Sequence, residues 1–132
     1  MKIVVDTSVL IAVIADEPEK PALVKATRGA ELIAPHSVHW EIGNAFSAMF
    51  KRKLITLEKA QQSLKIYRKI RVDFVEVELE ESLNIAQQLN LYAYDAYLIR
   101  CALKYEAPRI SLGRGLRGSA QQMNINVLEV MS

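Results

Sequence analysis

Three carboxylates, Asp6, Glu41 and Asp95, stand far apart in a chain of 132 residues, each near the end of a predicted strand or the start of a predicted helix. Each has an ordinary explanation. Asp6 precedes Thr7 and Ser8 and can cap a helix, a role either hydroxyl could take instead. Glu41 falls between the apolar positions Val38, Ile42 and Ala45, at the border of a helix stripe, where an exposed or snorkelling side chain is one outcome. Asp95 opens a helical segment and suits its positive N-terminus. Taken together the three carry more. Clustered carboxylates repel one another unless a hard cation sits between them, and Mg²⁺ or Mn²⁺ prefers oxygen ligands and keeps several waters. Such an ion can activate a water and offset the charge of a phosphodiester. Asn44, three residues after Glu41, shares its helix face and can support it.

The elements that must bring these residues together are short. Apolar runs at Lys2–Val5, Glu31–Ala34, Phe74–Val77, Arg109–Leu112 and Asn126–Val130 read as strands, with helical period in the longer segments between them. Ser37 is the expected cap of a helix running to about Lys51, with Val38, Ile42, Ala45 and Met49 as its apolar stripe. Thr56 is the expected cap of the next helix, and Glu81–Leu89 and Asp95–Tyr105 read as two more. A short helix is expected over Gly115–Met123, weakened by Gly115 and Gly118. Strands alternating with helices imply an α/β fold with a mainly parallel sheet covered on both faces. Sites in such sheets form beyond the carboxyl ends of the strands, which is where the strand ending at Asp6 delivers its acid.

The bulk properties fit one domain spanning residues 1–132. Hydrophobic residues make up 51% and charged residues 24%, ordinary for a globular chain and far from the composition of a disordered one. The N-terminal apolar run is broken by Asp6, so a signal peptide is not expected, and Val9–Ala15 is too short to span a bilayer. No membrane association and a cytoplasmic location are the expectation, and the single cysteine fits a reducing compartment. The net charge of +2 does not by itself indicate nucleic-acid binding. The basic groups Lys51–Arg52–Lys53, Lys65–Arg68–Lys69–Arg71 and Arg109–Arg114–Arg117 read first as solvated helix faces and termini. His36 and His39 have metal-compatible spacing without a third soft ligand, so a structural role is favoured. Cys101 has no histidine companion and reads as an inert buried thiol. No Walker-type phosphate loop is present. Phe46 and Phe50 lie one helical turn apart beside the core stripe, with Trp40 on the opposite face. They fit either core packing or a surface that receives a partner helix or a second copy.

In order along the chain, Ile3-Val4-Val5-Asp6-Thr7-Ser8-Val9-Leu10-Ile11-Ala12, Ala34-Pro35 with Glu41-Ile42-Gly43-Asn44-Ala45-Phe46, Tyr94-Asp95-Ala96-Tyr97-Leu98 and Ala107-Pro108-Arg109-Ile110-Ser111-Leu112 resemble the motifs of PIN-domain proteins, specifically the toxin-type ribonucleases of the VapC family. The resemblance implies a PIN-like three-layer α/β/α sandwich around a five-stranded, mainly parallel sheet, often homodimeric. It also implies endoribonuclease activity with Mg²⁺ or Mn²⁺, an RNA substrate, and inhibition by a cognate small antitoxin protein. The family's acids fall on Asp6, Glu41 and Asp95, which makes these the expected catalytic and metal-binding residues, with Asn44, Thr7 and Ser111 in support.

One departure is serious. Where the family carries further aspartates after its fourth strand, this chain has Ser111-Leu112-Gly113-Arg114-Gly115-Leu116, with glycine in both acidic positions. Losing anionic ligands lowers metal affinity, and losing one well-placed stabilising group costs on the order of a hundredfold in rate. Arg114, left without a neighbouring carboxylate, is expected to turn to the pocket and contact phosphate. Three functions remain open: an active ribonuclease, a degenerate PIN domain that binds RNA or protein without cutting, or a toxin-like domain kept for dimerisation or complex assembly with Trp40, Phe46 and Phe50 at the interface.

Overall fold

The computed structural model describes residues 1–112 and 127–129. Its elements run β1 (Lys2–Val4), α1 (Thr7–Ile14), α2 (Lys20–Thr27), β2 (Glu31–Pro35), α3 (Ser37–Lys51), α4 (Leu57–Tyr67), β3 (Val72–Val75), α5 (Leu79–Leu89), α6 (Ala93–Lys104), β4 (Arg109–Ser111) and β5 (Val127–Glu129). The five strands form one sheet in the order β3-β2-β1-β4-β5, and every described pairing is parallel.

β1 and β2 owe their central places to being apolar on both faces. Ile3, Val4, Ile33 and Ala34 are all buried, and a strand covered on both sides cannot alternate with polar residues. From β1 the chain moves to β2 and then β3 in one direction, and it then crosses to β4 and β5 on the other side of β1. With right-handed crossovers, this reversal puts α1–α4 on one face and α5–α6 on the other. The packing agrees: α1 lies against α2, α3 and α4, whereas α5 pairs with α6, which rests on β1 and β2. The reversal falls between β1 and β4, and the crevice above it is where ligands bind in sheets of this kind.

The structure corrects several local expectations. Ser37 is not a cap: His36 occupies that position in helical conformation without a side-chain bond, and Ser37 is the first residue of α3. The strand before α3 ends on Pro35, so the chain turns into the helix within one residue and leaves no extended position for a capping serine. Thr56 does cap α4, accepting from the Lys59 amide at 3.1 Å. β3 begins at Val72 rather than Phe74, since Val72–Val75 is the stretch that matches the register of Leu32–Pro35. Two helices, α1 and α2, were not expected individually. α1 buries Val9, Leu10, Ile11, Ala12 and Ile14, so it shows no polar face from which a period could be read. The segment Gly115–Met123, with Gly113, Arg114 and Arg117, lies outside the described residues.

The second face is fastened to the sheet edge by Glu78, just before α5. Its carboxylate accepts from Arg100 Nε at 2.8 Å and meets Lys104 Nζ at 2.9 Å, both on α6. These bonds, led by Arg100, hold the Glu78 carboxyl down at about 2, from an ordinary value of 4.5. A lowered carboxyl contributes stability that is present above its ordinary value and lost as the pH falls through its folded value. Thermal melts should therefore show Glu78→Gln less stable than the parent at pH 7, with the gap closing between about pH 4.5 and 2; a gap that does not vary with pH would remove the ion pair as its cause.

Candidate functional site

Asp6 lies two residues beyond β1, at the reversal between β1 and β4. Capping and function are not alternatives here, because the carboxylate is divided between them. Oδ1 accepts from the Val9 amide at 3.0 Å and from Ser8 Oγ at 2.7 Å, which caps α1. Oδ2 accepts from Arg109 Nη2 at 2.9 Å. Glu41 comes from the second turn of α3 and Asp95 from the first turn of α6, both half-buried. The parallel sheet puts all three on the same side, and they line one pocket of about 580 Å³ together with Thr7 and Asn44. Their mutual repulsion is visible at Glu41, whose carboxyl is raised first by burial and then by the charges of Asp6 and Asp95.

Beneath this pocket lies a residue whose importance the sequence did not reveal. Arg109 reads as part of a solvated basic group, yet it is only 2% exposed. The reason is register. Val4, the last residue of β1, is paired with Arg109, the first of β4, so β4 starts at the level where β1 ends. An arginine at the beginning of its strand thereby reaches the carboxyl end of its neighbour. Burial pulls the guanidinium below its ordinary value, and the charges of Asp6 and Asp95 oppose that pull. Nε and Nη1 find no partner among the described residues, so the ion pair to Asp6 is the guanidinium's principal compensation.

Two further acids escaped the sequence reading. Glu17 and Glu19, in the connection between α1 and α2, line the same pocket, and Glu19 Oε2 is buried there without a partner among the described residues. Burial, and then the charge of Glu19, raise the Glu17 carboxyl. The available signal was the run Asp16-Glu17-Pro18-Glu19 directly after an apolar segment. Five carboxylates thus surround the pocket, and none of its described lining residues is basic.

The model of the PIN domain family matches residues 3–120. The chain belongs to the PIN domain family. Among solved structures it is similar to PAE2754 from Pyrobaculum aerophilum, with a TM-score of 0.71 at 21% identity over 98% of this chain and 90% of that one. It is also similar to VapBC2 from Rickettsia felis, solved bound to a DNA fragment from their promoter, with a TM-score of 0.70 at 13% identity over 99% and 100%. Both likenesses are of fold. No curated protein sequence matches the chain.

Within this PIN fold the remaining expected site residues fall unevenly. Thr7 lines the pocket, and its Oγ1 is buried without a partner among the described residues. Ser111 closes β4, opposite Glu129, and Arg114 lies outside the described residues. Phe46 is buried in the core, so it cannot belong to a partner-binding surface; Trp40 is 74% exposed, and Phe50 is exposed near the other end of α3. His39 Nδ1 bonds the Tyr67 hydroxyl at 2.8 Å and its ring packs on Phe74, a structural role. Cys101 is fully buried, and burial pushes its thiol up to about 12.

The pocket's donors are hard oxygens, which suit Mg²⁺ or Mn²⁺ rather than a soft metal. No three acidic, histidine or cysteine side chains among the described residues stand close enough to form a cage by themselves. An ion that keeps much of its water shell fits such a set. Thr7 Oγ1 and Glu19 Oε2, on residues that line the pocket, are buried oxygens without a partner among the described residues.

Two outcomes follow for the metal-free protein. Asp6→Ala should cost about 3–5 kcal/mol in urea denaturation because it strands a buried guanidinium, whereas Asp95→Ala should cost about 1 kcal/mol or less, the scale of a charge at a helix N-terminus. Equal losses would deny Asp6 its special part. A raised carboxyl favours folding below its ordinary value and loses that contribution as the pH rises through its folded value. Glu41→Gln should accordingly melt higher than the parent at neutral pH and match it below pH 4.5. No gain at neutral pH would mean that the three acids do not crowd one another.

Proposed function

We propose that this chain is a divalent-metal-dependent endoribonuclease of the toxin–antitoxin type. The observation that carries the proposal is the pocket at the sheet reversal, where Asp6, Glu41 and Asp95 converge with no basic side chain among the described lining residues. A polyanion would be repelled from such a pocket unless a cation entered with it. When bound, Mg²⁺ or Mn²⁺ would lower the pKa of a coordinated water and offset negative charge on the phosphodiester.

The chain's own residues do the rest. Asp6, Glu41 and Asp95 would hold the ion, Asp6 with its orientation fixed by three donors and Asp95 from the first turn of α6. Asn44, one turn after Glu41, offers an amide at the rim to orient a phosphate oxygen or a water. Thr7, which also lines the pocket, is the proposed supporting hydroxyl. Arg114 remains the proposed phosphate contact and Ser111 a supporting hydroxyl. RNA is the proposed substrate and the cytoplasm the proposed place of action; no helix among the described residues is long and apolar enough to cross a membrane. A small antitoxin is the proposed partner, supported by the likeness to a structure of VapBC2. Exposed Trp40 and Phe50 are the proposed contacts for that partner or for a second copy in a homodimer.

A specific observation favours a second reading, a PIN domain that binds without cutting. Asp6 is already paired with Arg109, and Gly113 and Gly115 stand where the family's further acids would be. One experiment separates the two. The purified protein is assayed on structured RNA with millimolar Mn²⁺, with Asp95→Asn as the control, since Asp95 can be changed without stranding Arg109. Under the nuclease reading the variant loses about a hundredfold or more in rate. Equal cleavage by both proteins, or none by the parent, removes that reading, and RNA retention without cleavage establishes the second.

A further inference from the structure

Among the described residues Arg109 is the only basic side chain that is buried, and it is buried under an acidic pocket. It does not line that pocket, so it is no phosphate contact. Its Nη2 touches Asp6 Oδ2 at 2.9 Å, and the charge of Asp95 acts on the guanidinium as well. One of the three acids that would hold a metal is therefore already paired with a positive charge that belongs to the chain. Asp6 is also crowded with donors. A carboxylate offers about four lone-pair positions, and Val9, Ser8 and Arg109 take three at Asp6.

We infer that Arg109 is an internal counter-cation that competes with the divalent ion for Asp6 and sets the metal affinity of the pocket low. The inference rests on the metal-binding reading of the pocket and deepens it, naming the residue that tunes that site. Two effects act in one direction. The guanidinium occupies Asp6 Oδ2, which a metal would need, and its unit charge repels an incoming dication across a short, poorly screened distance. It is a positioning residue rather than a catalytic one, because it meets the ion and the substrate only through Asp6.

The sign of the effect separates this role from a structural one. If Arg109 merely held the site together, removing it would loosen Asp6 and weaken metal binding. As a competitor, its removal tightens binding. The test is calorimetric titration of the whole chain with Mn²⁺, without RNA, for the parent, Arg109→Met and Arg109→Lys. Methionine fills the buried space without charge, and the substitution of a buried ion pair's cation by an apolar side chain leaves Asp6 free to take an ion. Arg109→Met should bind Mn²⁺ about tenfold or more tightly than the parent, whereas Arg109→Lys, which keeps the charge, should stay near the parent value. Adding Asp95→Asn to Arg109→Met should abolish the gain. Arg109→Gln keeps a donor for Asp6 without the charge and gives the same answer if Arg109→Met does not fold, with far-ultraviolet circular dichroism as the check.

Affinity that is unchanged or weaker in a folded uncharged variant overturns the inference. So do a gain shared by Arg109→Lys, a gain that survives Asp95→Asn, and the absence of Mn²⁺ binding from every variant. Tighter binding in the uncharged variants with no RNA cleavage by any of them would remove the nuclease reading while leaving this inference standing.

Discussion

β1 and β4 meet at one register pair, Val4 beside Arg109. That pair sets the level at which β4 enters the sheet, and with it the position of a guanidinium that water cannot reach. A buried arginine must have its charge met within the protein, and here the carboxylate that meets it is Asp6. Once Asp6 is committed on one oxygen to Arg109, its other oxygen is aimed at the first turn of α1, where it accepts from Val9 and Ser8. The start of α1, the orientation of the first acid and the floor of the pocket are thus one connected arrangement. Replacing such a pair with apolar groups often costs little, so its physical value lies less in net stability than in leaving one geometry available.

That arrangement explains which parts of the site were legible in the sequence. Asp6, Glu41 and Asp95 could be found because each sits at a strand end or early in a helix, where a parallel sheet sends all such positions to one side. Arg109 could not be found this way. It opens a strand, and the opening of a parallel strand belongs by default to the opposite end of the sheet. Only the stagger of β4 against β1 reverses that, and stagger is a property of three-dimensional pairing that no local pattern encodes. Glu17 and Glu19 were missed for a related reason. They occupy a connection, where an acidic run reads as solvated surface unless the helices on either side fold it over the pocket.

The fold was more legible than the site. The five strands and the helices α3–α6 follow from apolar runs and period, with Thr56 as the cap of α4 alone, because one face of each helix remains wet. α1 is the instructive exception. It packs against three other helices and buries most of its length, so its sequence is apolar all round and carries no period. Asn90, which ends α5 in the left-handed conformation, is a stop signal of the ordinary kind, asparagine being one of the few residues that tolerate it.

The charges of the pocket limit what can enter it. Five carboxylates line it, and one guanidinium lies below. Glu41 and Glu17 are both raised, by burial first and by neighbouring acids second, so in each the negative form is disfavoured where it stands. Protons, the internal arginine and an external cation are three ways of meeting the same negative charge, and they compete. A PIN domain with two more aspartates after its fourth strand would leave more charge unmet and depend more heavily on the external ion. Positions 113 and 115 are glycines and bring no carboxylate, and the buried arginine already meets Asp6. The buried arginine and a dication answer the same carboxylates, so whatever negative charge one of them meets is charge the other must do without.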